Sequence, residues 1–372
     1  MDTEPGNFEK RPRARDLGIP FEGTPGALNA ITDVAGVAVG YATLVSGNPE
    51  ANGQPPAVRT GLTAILPRGK SAAGDPAFAG YFAFNGSGEM TGMHMLEETG
   101  FLEGPIMITN SNSVGLVRDA VVKWQIKNGT MFQHFSLPVV AETSDTYLSD
   151  PNGFYISDND VFSALDKASS GPIAEGNVGG GTGMCSFEWK GGTGTSSRKL
   201  VLGGGYTVGV LVQSNFGFRS QATIAGVPVG KLIDEGPKVF SQGTLYNYGA
   251  SIIVVIATDA PLLPHQLKRL AKRASVGVAR TGGTANNYSG EIFIAFSTAN
   301  SNTAKTRFEV MNLQMLSNYG MDRLIDATAY ATEEAIVNAL VASETMTGYE
   351  GRTVLAIPHK TLQEVLAAYL AL

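Results

Sequence analysis

The sequence predicts a mixed α/β protein in which strands and helices alternate along the chain. Three observations carry that expectation. Short runs rich in β-branched residues recur between residues 31 and 298, each of strand length and bounded by turn residues. Stretches with apolar residues three or four positions apart lie between them. Glycine accounts for 46 of 372 residues and falls in clusters that punctuate the runs.

In order, "ITDVAGVAVGYATL" and "TGLTAILP" read as strands, with the loosely patterned "VSGNPEANGQPPAVRTG" between them as a surface loop. "GPIMITN" is the next strand. "NSVGLVRDAVVKWQIKNG" then places Val114, Val117, Val121 and Trp124 on one helical face and closes with Asn128-Gly129, a helix-stop signal. "LPVVAET" reads as a strand and "DNDVFSALDKAS" as a helix opened by an Asp/Asn cap. "RKLVLGGGYTVGVLVQS", "SIIVVIATD" and "EIFIAFST" are further strands. "APLLPHQLKRLAKRASVGVAR" carries Leu263, Leu267, Leu270 and Ala271 on one helix face. The last third reads as a long helix, the short strand "TVLAIP", and a closing helix "TLQEVLAAYLAL". The one candidate internal boundary is "DEGPKVFSQGTLYNYGAS", since no Pro/Ser-rich linker occurs.

The length allows one to three domains. Charged residues make up only 16% against 43% apolar, which predicts a large buried share or a subunit interface. The net charge is −6 with no basic stripe, arguing against nucleic acid or an anionic membrane as partner. Lys123, Lys127, Lys268, Arg269, Lys272 and Arg273 read as solvated helix faces. A single cysteine, Cys185, makes no internal disulfide, and the polar "MDTEPGNFEKRPRARDLG" lacks a signal-peptide core. No apolar run approaches the roughly 18 residues of a membrane span. The expectation is a soluble, cytoplasmic protein whose Asn85, Asn128 and Asn287 sequons stay unglycosylated.

His94, His134, His265 and His359 are far apart in sequence, and no HExxH or CxxC occurs, so no dedicated metal site is expected. His265 and His359 read as capping or surface residues. "EGNVGGGTGM" and "LGGGYTVG" fit neither the dinucleotide nor the P-loop spacing. Their glycines serve either tight turns or an anion nest facing a reacting carbonyl.

Ser251 stands before Ile252–Ile256 at the mouth of a strand that reads as buried on both faces. Two readings stand. Its hydroxyl caps a neighbouring backbone group, or it is a nucleophile. No GxSxG elbow or nearby histidine would activate it. If the Ala250–Ser251 peptide bond is cut, however, Ser251 carries its own α-amine. Such an amine titrates near about 7.7–8.0, against about 10.4 for lysine, and is a built-in general base near neutral pH. In "NNYSGEIFIAFS", Asn287, Ser289 and Glu291 alternate and so share one face of an entering strand. Glu291 immediately precedes an apolar run, where it is either a water-exposed strand end or a partner for the nucleophile.

The segments "RARDLGIPFEGTPGALNAITDVAGVAVGYATL", "GNVGGGTGM", "KGGTGTSSR", "VLVQSNFG", "SIIVVIATDAPLLPHQLKRLAKRASVGVARTGG" and "SGEIFIAFSTAN" together resemble the L-aminopeptidase/D-esterase (DmpA-type) and β-peptidyl aminopeptidase family. The likeness runs from about Arg13 to the C-terminus. It implies a four-layer α/β/β/α sandwich, Ntn-hydrolase-like, of the DmpA/ornithine-acetyltransferase type. It also implies a single-domain precursor that cuts itself between Ala250 and Ser251 into a large piece, 1–250, and a small piece, 251–372, which stay associated. By the same resemblance Ser251 is the nucleophile, Ser289 and Glu291 stand beside it, and Tyr147 belongs to the active site. Asn215 then serves the oxyanion site and Glu142 receives the substrate's amino group. Two positions depart from the family pattern: Ala250 replaces Gly or Asn before the cut, and Ser144 stands where an aromatic is common.

The implied activity is release of N-terminal residues from short peptides, amides or esters, β-residues included, by a homotetramer without metal or organic cofactor. The rivals are an acyltransferase of the ornithine-acetyltransferase fold, which uses a threonine nucleophile, and a non-catalytic binding protein on the same scaffold.

Overall fold

A computed structural model describes residues 11–50, 52–201, 204–236, 239, 250–306 and 308–370. In chain order its elements begin with β1 (Ala38–Ser46), β2 (Val58–Leu66), β3 (Ala77–Gly86), α1 (Met93–Thr99), β4 (Phe101–Leu102) and β5 (Ile106–Thr109). Then come α2 (Val114–Asn128), β6 (Val139–Glu142), α3 (Asp158–Lys167), β7 (Cys185–Ser186), β8 (Trp189–Lys190), β9 (Gly192–Lys199) and β10 (Thr207–Asn215). The rest are α4 (Val229–Leu232), β11 (Ala250–Thr258), α5 (Pro264–Arg280), β12 (Ser289–Ser297), α6 (Met321–Val341), β13 (Met346–Thr347), β14 (Thr353–Val354) and α7 (His359–Leu370).

Two sheets form the centre, one ordered β1-β2-β5-β6 and the other β4-β3-β12-β11-β10-β9. Strand alternation sends successive side chains to opposite faces, and the core divides accordingly. Ile65, Ile108, Val139 and Ala141 of the first sheet meet Leu211, Ile253, Val255 and Ile294 of the second in the layer between the sheets. Leu62, Ala64, Met107 and Val140 turn outward onto α2 and α3. Val210, Val212, Ile252, Val254 and Phe293 turn outward onto α5 and α6. The layers therefore run helix, sheet, sheet, helix, as the family resemblance implies.

Each sheet contains one parallel pair joined across a helix: β5 and β6 through α2, β11 and β12 through α5. Such a crossover places the starts of both strands at the same sheet edge. Helix α2 buries Val114, Val117, Val121 and Trp124 and ends at Gly129, whose φ of 63° favours glycine. Helix α3 is capped by Ser157 rather than by the expected Asp/Asn, with the Ser157 amide donating to Asp160 Oδ2 at 2.9 Å. Leu263 is the N-cap of α5 rather than part of its buried face.

Three further expectations are corrected. Leu200 and Val201 lie after β9 rather than in it, and the strand is the polar "GTGTSSRK", which ends at Lys199. That strand is buried because α6 crosses it closely: a Cβ on Gly194 would lie 2.0 Å from the Ala335 carbonyl oxygen. Its hydroxyls find acceptors, Thr195 at Val210 O (2.7 Å) and Ser196 at Ala331 O (2.6 Å), which removes the cost of burying them. Strand β3, "AFAGYFAFNG", was not anticipated. "TVLAIP" supplies only the two residues of β14. Most of the candidate boundary ahead of Ser251, including the Tyr-Asn-Tyr-Gly turn, lies outside the described residues.

Candidate active site

The site grows from the crossover of β11 and β12. Their parallel register sets Ala250 opposite Ser289 and Ser251 opposite Gly290. On the other side, antiparallel β10 sets Asn215 opposite Ser251 and Gln213 opposite Ile253. Ile253 and Leu211 face the layer between the sheets, so by alternation Ser251, Asn215 and Gln213 face it too.

Ser251 is 5% exposed, and β11 is buried along its whole length. Its hydroxyl donates to the Ala250 carbonyl oxygen at 2.5 Å and accepts from the Gly290 amide at 3.3 Å. Beside it, the Ser289 hydroxyl donates to Glu291 Oε1 in a short hydrogen bond. Glu291 is 1% exposed, not the water-exposed strand end its sequence position allowed. Burial, only partly offset by the Ser289 hydroxyl, pushes its carboxyl up to about 7. Among the described residues its Oε2 has no hydrogen-bond partner, an unusual state for a buried carboxyl oxygen. Asn287 does not share this strand: the chain turns at 287–288, and Asn287 is exposed.

Glu142 closes β6 on the opposite sheet and is 7% exposed. Its Oε1 accepts from the Glu89 amide at 3.0 Å, and its Oε2 accepts a short hydrogen bond from the Ser111 hydroxyl. Burial raises its pKa, while those two donors lower it. Gly88 lies between this carboxylate and the nucleophile. A Cβ on Gly88 would fall 3.0 Å from Glu142 Oε1 and 3.5 Å from the Gly290 Cα. A Cβ on Gly290 would fall 3.1 Å from the Ser251 hydroxyl. Bare glycine backbone thus occupies the approach between the carboxylate of one sheet and the hydroxyl of the other.

Asp145 is a titratable group that sequence reasoning missed. It is buried, with Oδ2 unpaired among the described residues. Burial pushes its carboxyl up to about 7 against a hydrogen bond from Thr60, and Glu142 adds to the rise. A small cavity adjoins it, lined by polar residues such as Thr60, Ser111 and Thr146 and by Pro151, Phe154 and Tyr155. In the sequence it sits in "TSDTY", between Ser144 and Tyr147, with no apolar run beside it to mark it as buried.

Tyr147 and Asn215 reach the same neighbourhood differently. Tyr147 packs with Ala250, Leu148 and Cys185, and the Arg352 guanidinium lies 5.4 Å over its ring. The Asn215 side chain accepts from the Cys185 amide at 2.7 Å and donates to Ser144 O at 2.9 Å. It therefore braces the loop carrying Ser144. The Gly179–Gly181 cluster is no open anion nest: its amides donate to Thr43 Oγ1 (2.8 Å), Thr63 Oγ1 (3.1 Å) and Val178 O (3.0 Å). The tight-packing alternative holds there. His94, His134 and His265 are exposed, and His359 Nε2 lies 2.9 Å from Val341 O. Among the described residues no cluster of three or more His, Cys, Asp or Glu is placed to hold a metal. No helix among them is long and apolar enough to cross a membrane.

The solved L-aminopeptidase D-Ala-esterase/amidase from Ochrobactrum anthropi, described as a variant of the Ntn hydrolase fold, superposes with a TM-score of 0.89. It is 46% identical, with 96% of this chain and 99% of that one covered. A Burkholderia sp. beta-aminopeptidase gives a TM-score of 0.88 at 45% identity with the same coverage. Beta-peptidyl aminopeptidase BapA of Sphingosinicella microcystinivorans is 51% identical over 368 residues, 96% of this chain and 92% of that protein. A layered sandwich with a serine heading its central strand, in this company, defines an aminopeptidase/esterase of the Ntn hydrolase fold. The signature of Peptidase family S58 matches residues 29–354, and the chain belongs to that family.

Proposed function

We propose that Ser251 is the nucleophile and that the chain activates it by cutting the Ala250–Ser251 bond. The observation that carries this reading is the placement of the Ser251 hydroxyl between the Ala250 carbonyl and the Gly290 amide, on a strand paired with the one that carries the buried Glu291 carboxyl. In maturation the hydroxyl oxygen attacks the Ala250 carbonyl carbon, and the acyl group moves from nitrogen to oxygen as the C–N bond breaks. Water then hydrolyses the ester. This leaves a carboxylate on Ala250 and an α-amine on Ser251, in pieces 1–250 and 251–372 of one domain.

In turnover the α-amine takes the hydroxyl proton as Oγ attacks the substrate carbonyl, then returns it to the departing amine or alcohol. Water hydrolyses the acyl-enzyme. Ser289 and Glu291 hold the new ammonium, giving Glu291 Oε2 the donor it lacks among the described residues. The Asn215 side chain, with backbone amides, supports the oxyanion; donors of this kind elsewhere are worth about 2.7–4 kcal/mol. Glu142 receives the substrate's free ammonium, an ion pair that fixes the carbonyl against Ser251. Tyr147 packs against the apolar cluster that includes Ala250, the residue before the nucleophile.

The substrates in this reading are short peptides, amides and esters with a free amino group. The names of the relatives bring N-terminal β-residues into that set. A cytoplasmic homotetramer of cut chains, using no cofactor, completes the proposal. The serine at 251 disfavours the threonine-dependent acyltransferase alternative. Intact-mass measurement tests the core of the reading. The wild type should give two polypeptides, the smaller beginning "SIIVV", and Ser251→Ala should give one inactive chain. Normal cleavage in that variant would sink it, as would an active enzyme that is never cut.

A further inference from the structure

One buried side chain joins the two halves of this site, and the chemistry above does not use it. Gln213 is 1% exposed and faces the layer between the sheets, two residues before Asn215 on β10. Its Nε2 donates across that layer to Thr143 Oγ1 at 2.7 Å and to Thr109 O at 3.2 Å. Thr143 directly follows Glu142, and Thr109 is the register partner of Glu142 on β5. The Thr143 amide also donates to Thr109 O at 3.2 Å, and its hydroxyl donates onward to Met184 Sδ at 2.8 Å. One carboxamide therefore links the strand beside Ser251 to the strand ends that carry Glu142. The other side of Gln213 is closed by Gly180, where a Cβ would lie 2.0 Å from Gln213 Oε1.

The Gln213 Nε2 is held by two acceptors, and losing either bond leaves a buried polar group unpaired, while its Oε1 has no hydrogen-bond partner among the described residues. Apolar contacts between the sheets lack the directionality of such bonds. We infer that Gln213 is a positioning and specificity-determining residue. Its cross-sheet bonds fix the gap between Glu142 and Ser251, and that gap selects substrates by the number of backbone carbons between ammonium and scissile carbonyl. α- and β-aminoacyl groups differ there by one methylene, and misplacement on this scale costs large factors in rate. The inference rests on the proposed role of Glu142 as the ammonium's partner.

The test compares glycyl and β-alanyl p-nitroanilide, which differ by that one methylene. The wild type should discriminate between them in kcat/KM, and Gln213→Met should bring the ratio about tenfold nearer to one. Thr143→Val, which removes one acceptor, should move it the same way, whereas Thr143→Ser should restore the wild-type ratio. The Thr143 pair decides the matter if Gln213→Met does not mature. A purely structural role would lower activity towards both substrates alike. Equal acceptance of both substrates by the wild type overturns the inference, and so does an unchanged ratio in matured Thr143→Val. The N-acetylated substrates separate this from a failure of the underlying reading. If the wild type cleaves them as fast as the free amines, the role of Glu142 falls; if it rejects them while the ratios stay fixed, only the role of Gln213 falls.

Discussion

Burial works against the charge of Glu142, and the Glu89 amide and Ser111 hydroxyl only partly offset it. A substrate ammonium would complete its set of partners. Glu142→Gln should therefore lower kcat/KM for free-amino substrates about 10- to 100-fold, the worth of a charge-assisted bond. Self-cleavage, which involves no substrate amine, should continue, as a denaturing gel would display. Glu291 has a different signature. In the proposed cut enzyme its carboxylate would favour the charged form of the Ser251 α-amine and so raise that amine's pKa. Activity towards an ester lacking an amino group should rise with pH as the amine loses its proton. In matured Glu291→Gln the limb should move to lower pH. A flat profile between about pH 6 and 9, with chemistry rate-limiting, would count against the terminal-amine mechanism. Ser251 and Glu291 drew attention in the sequence because a polar residue directly before an apolar run is conspicuous. Asp145 and Gln213 did not, because what matters in each is a partner that is distant in sequence, Thr60 for one and Thr143 for the other.

At the scale of elements, periodicity revealed what is apolar and concealed what is polar and buried. The run after Ser251 became β11, and α2 buries the four residues its spacing selected. Strand β9 escaped because Gly, Thr and Ser fill it. Its burial depends on the close crossing of α6 and on the hydroxyl bonds to Val210 and Ala331. Gly194→Ala tests that explanation. A methyl there meets the Ala335 carbonyl, so the helix must lift from the sheet at a cost of about 1–3 kcal/mol or more. Thermal unfolding should show a clear fall in Tm. No change would mean that the helix is not seated on the glycine. Strand β3 carried a legible alternation in "AFAGYFAF" that went unread, and its glycine also serves a helix: a Cβ on Gly80 would lie 2.5 Å from the Lys268 amide nitrogen.

For the whole molecule, the low charge fraction finds an outlet in a thick interior that holds its few buried charges in specific company. Glu334 receives Arg15 and Arg198, each at 2.8 Å. Lys190 is fully buried, donating to Gly191 O at 2.7 Å and Gly181 O at 3.3 Å, and burial holds its pKa down to about 7. In the unfolded chain it titrates near about 10.4, so between these values the unfolded state binds the extra proton. Stability should accordingly rise with pH across that window. Denaturant titrations of Lys190→Met should lack this part of the slope; an equal slope would show that Lys190 is charged in the fold. The six-stranded sheet also has a consequence for the history of the molecule. Its order is β4-β3-β12-β11-β10-β9, so a cut before Ser251 leaves two strands of the small piece inserted between strands of the large one. In the proposed maturation, the hydrogen bonds that hold them would predate the cut and survive it. The chain that finds the fold is continuous, with the two segments held at a high effective concentration by their covalent link. With the link gone, the same structure would persist without the route that formed it. Such a cut would convert an equilibrium fold into one preserved by the slowness of its unfolding.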